Sequence, residues 1–153
     1  MRQTTTAVLV ALLVSGCGFV DRDVQVLNGH VREYERTYDT EITFNVEPVA
    51  PDSDKRVGAD GNCHVPRDGG EKSVFISRDA VSDWGLVYHE LSHCRFDLAH
   101  DDEMTTIDGE TVPKSIMHSR PPSRLTLIKH DDYYVSELRA KIRKVRRSRP
   151  NIE

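Results

Sequence analysis

The chain has 153 residues and a formal net charge of −4 at pH 7, with 37% hydrophobic and 30% charged residues. This length suffices for one domain with a hydrophobic core but not for two comfortable ones. The negative net charge gives no reason to expect nucleic acid as a partner. We therefore expect one rather polar globular domain.

The first residues combine a positive charge, a short apolar run and a cysteine. Arg2 precedes an apolar run over residues 7–14, which is too short to cross a bilayer and indicates a signal peptide. Small residues then lead to Cys17 in the sequence LVSGC. This sequence resembles the lipobox, in which the cysteine is lipidated and becomes the first mature residue. The alternative is a plain secretory signal in which Cys17 has no special role.

Lipidation would give the protein a stable membrane anchor, because the modified cysteine carries several acyl chains. The resemblance implies a bacterial cell envelope. Gly18 follows the cysteine where an aspartate would signal retention in the inner membrane, which favours the outer membrane and the periplasmic side. The predicted divisions are a signal peptide over residues 1–16, a lipidated tether over 17–22 and a single domain over 23–149.

The remaining cysteines suit an oxidising compartment. With Cys17 assigned to lipid, Cys63 and Cys94 form an even pair, as expected for a disulfide. Such a bond would close a loop of about 30 residues and contribute roughly 3–4 kcal/mol to the free energy of unfolding. The alternative is that one of these two cysteines binds a metal.

The first half of the domain predicts one helix and two strands. Apolar residues spaced by three and four over residues 21–40 indicate a helix. Alternation over residues 41–49 indicates a half-buried strand that ends at Pro48. Residues 50–72 are rich in proline, glycine and aspartate and predict a loop, and residues 73–77 predict a second short strand.

The second half predicts two helices and a hairpin. Residues 79–96 have the length and pattern of a helix, with Asp79 or Ser82 as the N-cap. The Asp108–Gly109 pair predicts the turn of a small hairpin. Residues 130–147 place apolar side chains on one face of a C-terminal helix. We expect an α+β domain with a short sheet.

The helix over residues 79–96 carries the sequence HELSH, which is the HExxH motif. His89 and His93 are four residues apart, so both imidazoles can bind one Zn²⁺ from the same helix face. Glu90 then lies beside the open coordination position, where it can take a proton from a zinc-activated water and pass it to the leaving amine. Catalytic zinc sites commonly have three protein ligands. His100 is the favoured third ligand, and the alternatives are Asp101, Asp102, Glu103 and Glu110.

Three motifs occur in a fixed order, namely HELSHCRFDLAH, PKSIM and YYVSEL. Together they resemble the metzincin clan of zinc metallopeptidases, which have HExxHxxGxxH and a later Met-turn. Within that clan the chain is most similar to small bacterial and phage-borne metallopeptidase-like proteins that contain HELGHCxLxRxH, PxSIM and YYxxEL. The resemblance covers roughly residues 60–140. It implies a zincin fold with His89, His93 and His100 as zinc ligands, Glu90 as general base and Met117 as the hydrophobic floor beneath the metal.

The sequence departs from the clan at several positions. No glycine lies between the second and third histidines, and their spacing is one residue longer than usual. Asp97 is a candidate for the turn conformation that glycine would otherwise supply. Ser92 replaces a glycine of the similar proteins, and His118 follows Met117 where asparagine is usual.

The resulting expectation is a zinc-dependent peptidase that acts on a peptide or protein substrate and is held at the envelope by its lipidated cysteine. Two alternatives remain, a non-catalytic lipoprotein that zinc stabilises and a hydrolase of cell-wall peptides. Tyr133 or Tyr134 could stabilise an oxyanion or could simply be core or rim aromatics. Three further histidines are expected at the surface, namely His30, His64 and His130.

Overall fold

The computed structural model describes residues 21–53 and 60–149. The predicted signal peptide and Cys17 lie outside the described residues. The first helix, α1, spans Arg22–Tyr38 and begins after Asp21, whose side chain caps it by accepting a hydrogen bond from the Asp23 N–H group. No helix in the described ranges is long and apolar enough to cross a membrane.

A three-stranded sheet follows α1. Its strands are β1 (Asn45–Val49), β2 (Gly61–His64) and β3 (Ser73–Ser77), in the spatial order β1-β3-β2. β1 runs parallel to β3, and β2 runs antiparallel to it. The central strand is therefore β3, and both of its neighbours are edge strands.

After the sheet, the described part of the chain forms three α-helices and a hairpin. The elements are α2 (Trp84–Phe96), β4 (Met104–Ile107), β5 (Glu110–Pro113), α3 (Arg124–Lys129) and α4 (Asp131–Ser148). These elements confirm the α+β class. One hydrophobic core joins α1, the sheet, α2 and α4, and its fully buried side chains include Leu27, Tyr34, Val74, Ile76, Val87, Leu91, Tyr134 and Leu138.

The predicted bounds of the first strand need correction. β1 begins at Asn45 and runs through Pro48 to Val49, whereas the sequence predicted a strand from residue 41 that ended at the proline. Because β1 pairs with β3 along one side only, Pro48 can remain in the strand although its nitrogen has no hydrogen to donate.

The predicted loop over residues 50–72 contains the edge strand β2. Its sequence, GNCH, has little strand propensity, so pairing with β3 and a disulfide account for its position. Cys63 in β2 and Cys94 in α2 are bonded, with an S–S distance of 1.99 Å. The disulfide prediction is confirmed, and neither of these two sulfurs is left as a thiolate ligand.

The cap of α2 is neither Asp79 nor Ser82. Residues Arg78–Ala80 form a separate 3₁₀ turn, and the helix begins after Asp83, whose carboxylate accepts hydrogen bonds from the Gly85 and Leu86 N–H groups. Gly85 also allows α3, which the sequence did not predict, to pack closely. A Cβ atom at Gly85 would lie 2.1 Å from the Leu127 side chain.

The predicted hairpin and C-terminal helix are confirmed. Asp108 and Gly109 both have positive φ angles, of 50° and 81°, as a two-residue type I′ turn requires. α4 buries one apolar stripe along its length, formed by Tyr134, Leu138 and Ile142.

Candidate metal centre

Three histidine side chains converge on one point. His89 and His93 project from the same face of α2, and His100 approaches from the segment after the helix. The Nε2 atoms of His93 and His89 are 2.9 Å apart, those of His93 and His100 are 3.1 Å apart, and those of His100 and His89 are 3.3 Å apart. The HExxH spacing and the later histidine therefore form a single cluster that could hold a metal ion.

Backbone carbonyl groups fix which nitrogen of each helical histidine carries the hydrogen. The Nδ1 atom of His89 is 2.8 Å from the Ile116 oxygen, and that of His93 is 2.5 Å from the Leu98 oxygen. A carbonyl oxygen can only accept a hydrogen bond, so each Nδ1 must donate. The Nε2 atoms of both rings therefore present lone pairs to the cluster, as metal-bound histidines do.

Burial keeps these rings neutral. It lowers the pKa of His89 to about 4, against the opposing effect of the Ile116 carbonyl, with smaller contributions from the charges of His93 and His100. Burial also lowers the pKa of His93. Neutral imidazole is the form that binds a metal.

The cluster fits zinc. Two lone pairs 2.9 Å apart repel each other unless a proton or a cation lies between them. A tetrahedral zinc ion with Zn–N distances of about 2.0–2.1 Å holds its nitrogen ligands about 3.3–3.4 Å apart. The observed distances, 2.9–3.3 Å, approach this value, so small adjustments would accommodate the ion.

The turn after α2 explains how the chain returns without a glycine. Asp97 adopts a left-handed conformation, with φ 56° and ψ 37°, which confirms its candidacy as the turn residue. Its N–H group donates to the His93 carbonyl, four residues back, which is the αL type of helix end, and the Leu98 N–H group donates to the Ser92 carbonyl. The same turn therefore brings His100 to the cluster and places the Leu98 carbonyl that orients His93.

The carboxylates considered as alternative third ligands all have other partners. Asp101 pairs with Lys141, the Asp102 carboxylate accepts from the Ser119 N–H group, and Glu103 and Glu110 pair with Lys114 and Lys129. Within the described ranges, only the three histidines form a group of possible metal ligands. The geometry thus favours His100 over its rivals.

Glu90 lies in the same cleft as the histidines. Its side chain packs directly against β2, and the residue is only 7% exposed. Burial raises the pKa of Glu90 to about 7, although a hydrogen bond from the Cys63 N–H group acts in the opposite direction. A carboxyl group with a pKa near neutrality is suited to accept and return a proton.

Gly61 is a residue of this site that the sequence did not reveal. A Cβ atom there would lie 2.8 Å from the Glu90 Cγ atom and 3.1 Å from Oε1. The bare backbone of β2 thus forms one wall of the space that holds the carboxylate. No signal in the sequence pointed to it, because the surrounding residues indicated only a loop.

The remainder of the cleft is mostly apolar. Leu86 lies one turn before the first histidine on α2, and Val65 follows β2. Leu98 and Pro121 complete the apolar lining, with Asn62 and Ser119 as neutral polar groups. Asp97, whose carboxylate pairs with Arg149, is the charged residue of this remaining lining. Such a cleft is open to an extended chain or a small ligand.

The SIM segment, residues 115–117, contacts the site through the Ile116 carbonyl, and two tyrosines of α4 hold the residues that precede this segment. Met117 is fully buried. The Tyr133 hydroxyl donates to the Lys114 carbonyl over 3.0 Å, and the Tyr134 hydroxyl donates to the Pro113 carbonyl over 2.8 Å. These contacts favour a structural role for both tyrosines over oxyanion stabilisation.

Ser92 and His130 both lie in the interior of the domain. Ser92 is fully buried, and its Oγ atom lies 2.9 Å from the Tyr34 hydroxyl on α1, so the serine that departs from the similar proteins makes a specific contact. His130 is 6% exposed, and the expectation of a surface position was wrong. It occupies the junction of α3 and α4, near Asp108 and Glu110 of the hairpin.

Comparison with known proteins gives no match to this chain among protein-family models, curated proteins or solved structures.

Proposed function

We propose that this protein is a zinc-dependent peptidase of metzincin-like type. The observation that carries the proposal is the convergence of three histidine Nε2 atoms within 3.3 Å of one another in a cleft that also contains a buried glutamate. The order of the HExxH, SIM and YYVSEL motifs supports the same function. The sequence LVSGC supports the further proposal that Cys17 anchors the enzyme in the cell envelope.

In the proposed reaction, the histidines, Glu90 and two backbone carbonyls would each have a separate role. His89, His93 and His100 would hold the ion, which when bound polarises the scissile carbonyl and lowers the pKa of water. Glu90 takes the proton released by the attacking water and transfers it to the leaving amine. The carbonyls of Ile116 and Leu98 keep two of the ligands in the correct tautomer.

Zinc content and peptide cleavage test this function together. We expect the purified protein to contain about one zinc per chain, to cleave members of a peptide library, to lose cleavage on chelation and to regain it when zinc is restored. Casein and peptidoglycan fragments should be assayed in parallel, since cleavage of the latter alone would indicate a cell-wall hydrolase. A protein that binds zinc and cleaves none of these substrates would instead be a zinc-stabilised binding lipoprotein.

The substitution Gly61→Ala tests the position of Glu90. Because the added methyl group would lie 2.8 Å from the Glu90 side chain, the carboxylate must move. We expect kcat to fall by about 10- to 100-fold while the zinc content is unchanged. Gly29→Ala is the matched control, since a Cβ atom there meets nothing within 4 Å, and it should retain full activity. Full activity in Gly61→Ala would contradict the role of this glycine.

A further inference from the structure

The SIM segment is attached to α4 through a buried serine. The Ser115 hydroxyl donates to the Glu137 carboxylate over 2.8 Å and accepts from the Met117 N–H group over 3.0 Å. Ser115 is fully buried, and the Glu137 side chain is only 14% exposed. The second oxygen of Glu137 lies 3.2 Å from Lys141 Nζ, one turn further along the helix. α4 therefore holds the SIM segment through Glu137, and the Glu137 carboxylate is itself paired with the Lys141 ammonium group.

Lys141 extends the connection to the segment that carries the third histidine. Its ammonium group also pairs with the carboxylate of Asp101, the residue after His100. The Asp101 N–H group in turn donates to the Met117 carbonyl over 2.9 Å. Asp101, Lys141, Glu137, Ser115 and Met117 thus form a closed circuit of hydrogen bonds, which we call the α4 circuit.

The α4 circuit reaches two of the three histidines. Ile116 lies between Ser115 and Met117, and its carbonyl accepts the hydrogen bond from His89 Nδ1. At the other end, Asp101 fixes the peptide that follows His100. A shift of either segment would move the Nε2 atom of one histidine relative to the other two.

Electrostatics identify Lys141 as the central member. Burial alone would lower the pKa of Lys141, but its hydrogen bond with Asp101 and the charge of Glu137 together raise it. The side chains of Lys141 and Asp101 are 26% and 22% exposed, so water screens them less than it screens a surface pair. Without this cation, the two carboxylates would repel each other across the gap between α4 and the His100 segment.

We propose that Lys141 and Glu137 are positioning residues for the metal site, which act on His89 through Ser115 and Ile116 and on His100 through Asp101. The inference rests on the proposed zinc site. It gives α4 a role in the metal site in addition to its packing in the core.

The variant Lys141→Met tests this inference through metal affinity, with zinc itself as the probe in competition with a chromophoric chelator. We expect the dissociation constant for zinc to rise by about 10- to 100-fold, the range that outer-sphere partners usually show. The visible spectrum of bound Co²⁺ should change as well, because it reports the arrangement of the ligands. Lys144→Met is the matched control, since Lys144 is exposed on the same helix, and both measurements should stay at their wild-type values.

A purely structural role makes a different prediction. The melting temperature of the metal-free Lys141→Met protein would fall, but the zinc dissociation constant and the Co²⁺ spectrum would remain those of the wild type, and this result would overturn the inference. If Lys141→Met does not fold, Glu137→Gln is tested in the same way. Lys141→Arg, which keeps the cation, should restore most of the affinity.

The zinc measurement also separates this inference from the proposed function. Weaker zinc binding by Lys141→Met in a protein that cleaves no peptide would support the α4 circuit and reject the peptidase. Unchanged zinc binding by the variant of an active peptidase would reject the α4 circuit alone.

Discussion

Replacement of Glu90 by glutamine is expected to reduce kcat by about 10²- to 10⁴-fold, the range that general acid–base catalysis usually contributes. The amide has nearly the same shape as the carboxyl group, so it should fit the space beside Gly61. It cannot accept a proton from water, however. Because Glu90 does not belong to the group of possible metal ligands, which consists of three histidines, the zinc content should remain about one per chain.

Two measurements on Glu90→Gln make this result interpretable. Metal analysis shows whether the site is still loaded, and the melting temperature shows whether the domain is intact. A conservative change at an exposed acid, Asp132→Asn on α4, is the control and should leave kcat unchanged. Wild-type turnover by a zinc-loaded Glu90→Gln variant would remove Glu90 from the mechanism.

Replacement of His100 by alanine is expected to weaken zinc binding by more than about 100-fold, which exceeds the usual effect of outer-sphere partners. The variant would keep only the two histidines of α2 as imidazole ligands. His100 is exposed, so its loss removes little buried surface and the metal-free domain should remain folded. Peptide cleavage should fall in parallel with zinc occupancy and return only in part at high zinc concentration.

Asp102→Asn provides the comparison for His100→Ala. Asp102 was a rival third ligand, but its carboxylate accepts from the Ser119 N–H group, and an asparagine oxygen can do the same. We expect its zinc dissociation constant to stay within about twofold of wild type. If Asp102→Asn loses zinc and His100→Ala keeps it, the site is of the two-histidine, one-carboxylate kind.

The parts of the fold that the sequence predicted are those with strong local signals. The three- and four-residue spacing along α1 and α4 places apolar side chains on one face, and the structure buries Leu27, Tyr34, Tyr134 and Leu138. The Asp108–Gly109 turn is specified by two adjacent residues that tolerate positive φ angles. The positions of these elements follow from short stretches of chain.

The parts that were missed depend on contacts between distant residues. β2 has no alternation of its own and exists because it pairs with β3 and is bonded to α2. α3 has six residues, too few for a clear periodic signal, and Gly85 allows it to pack against α2.

The residues of the candidate site also divide into those with a local sequence signal and those that depend on distant contacts. His89, Glu90 and His93 share a single helical turn, and the left-handed turn at Asp97 could be anticipated because aspartate tolerates that conformation. Gly61 and the α4 circuit could not be anticipated. They depend on how β2 and α4 pack beside residues that are far away in sequence.

This difference in sequence distance has a consequence for the order in which the site forms. The three histidines lie within residues 89–100, on one helix and its final turn, and such local contacts form early in folding. The Ile116 carbonyl that orients His89 and the Lys141 side chain that pairs with Asp101 come from distant parts of the chain. The space that holds the Glu90 side chain is bordered by β2. β2 is held by the Cys63–Cys94 disulfide, which joins residues 31 positions apart, and by its pairing with β3, a long-range contact of the kind that forms more slowly. For the proposed peptidase, a complete site would therefore require the long-range contacts of residues 115–117, α4 and β2 in addition to the local turn that ends α2.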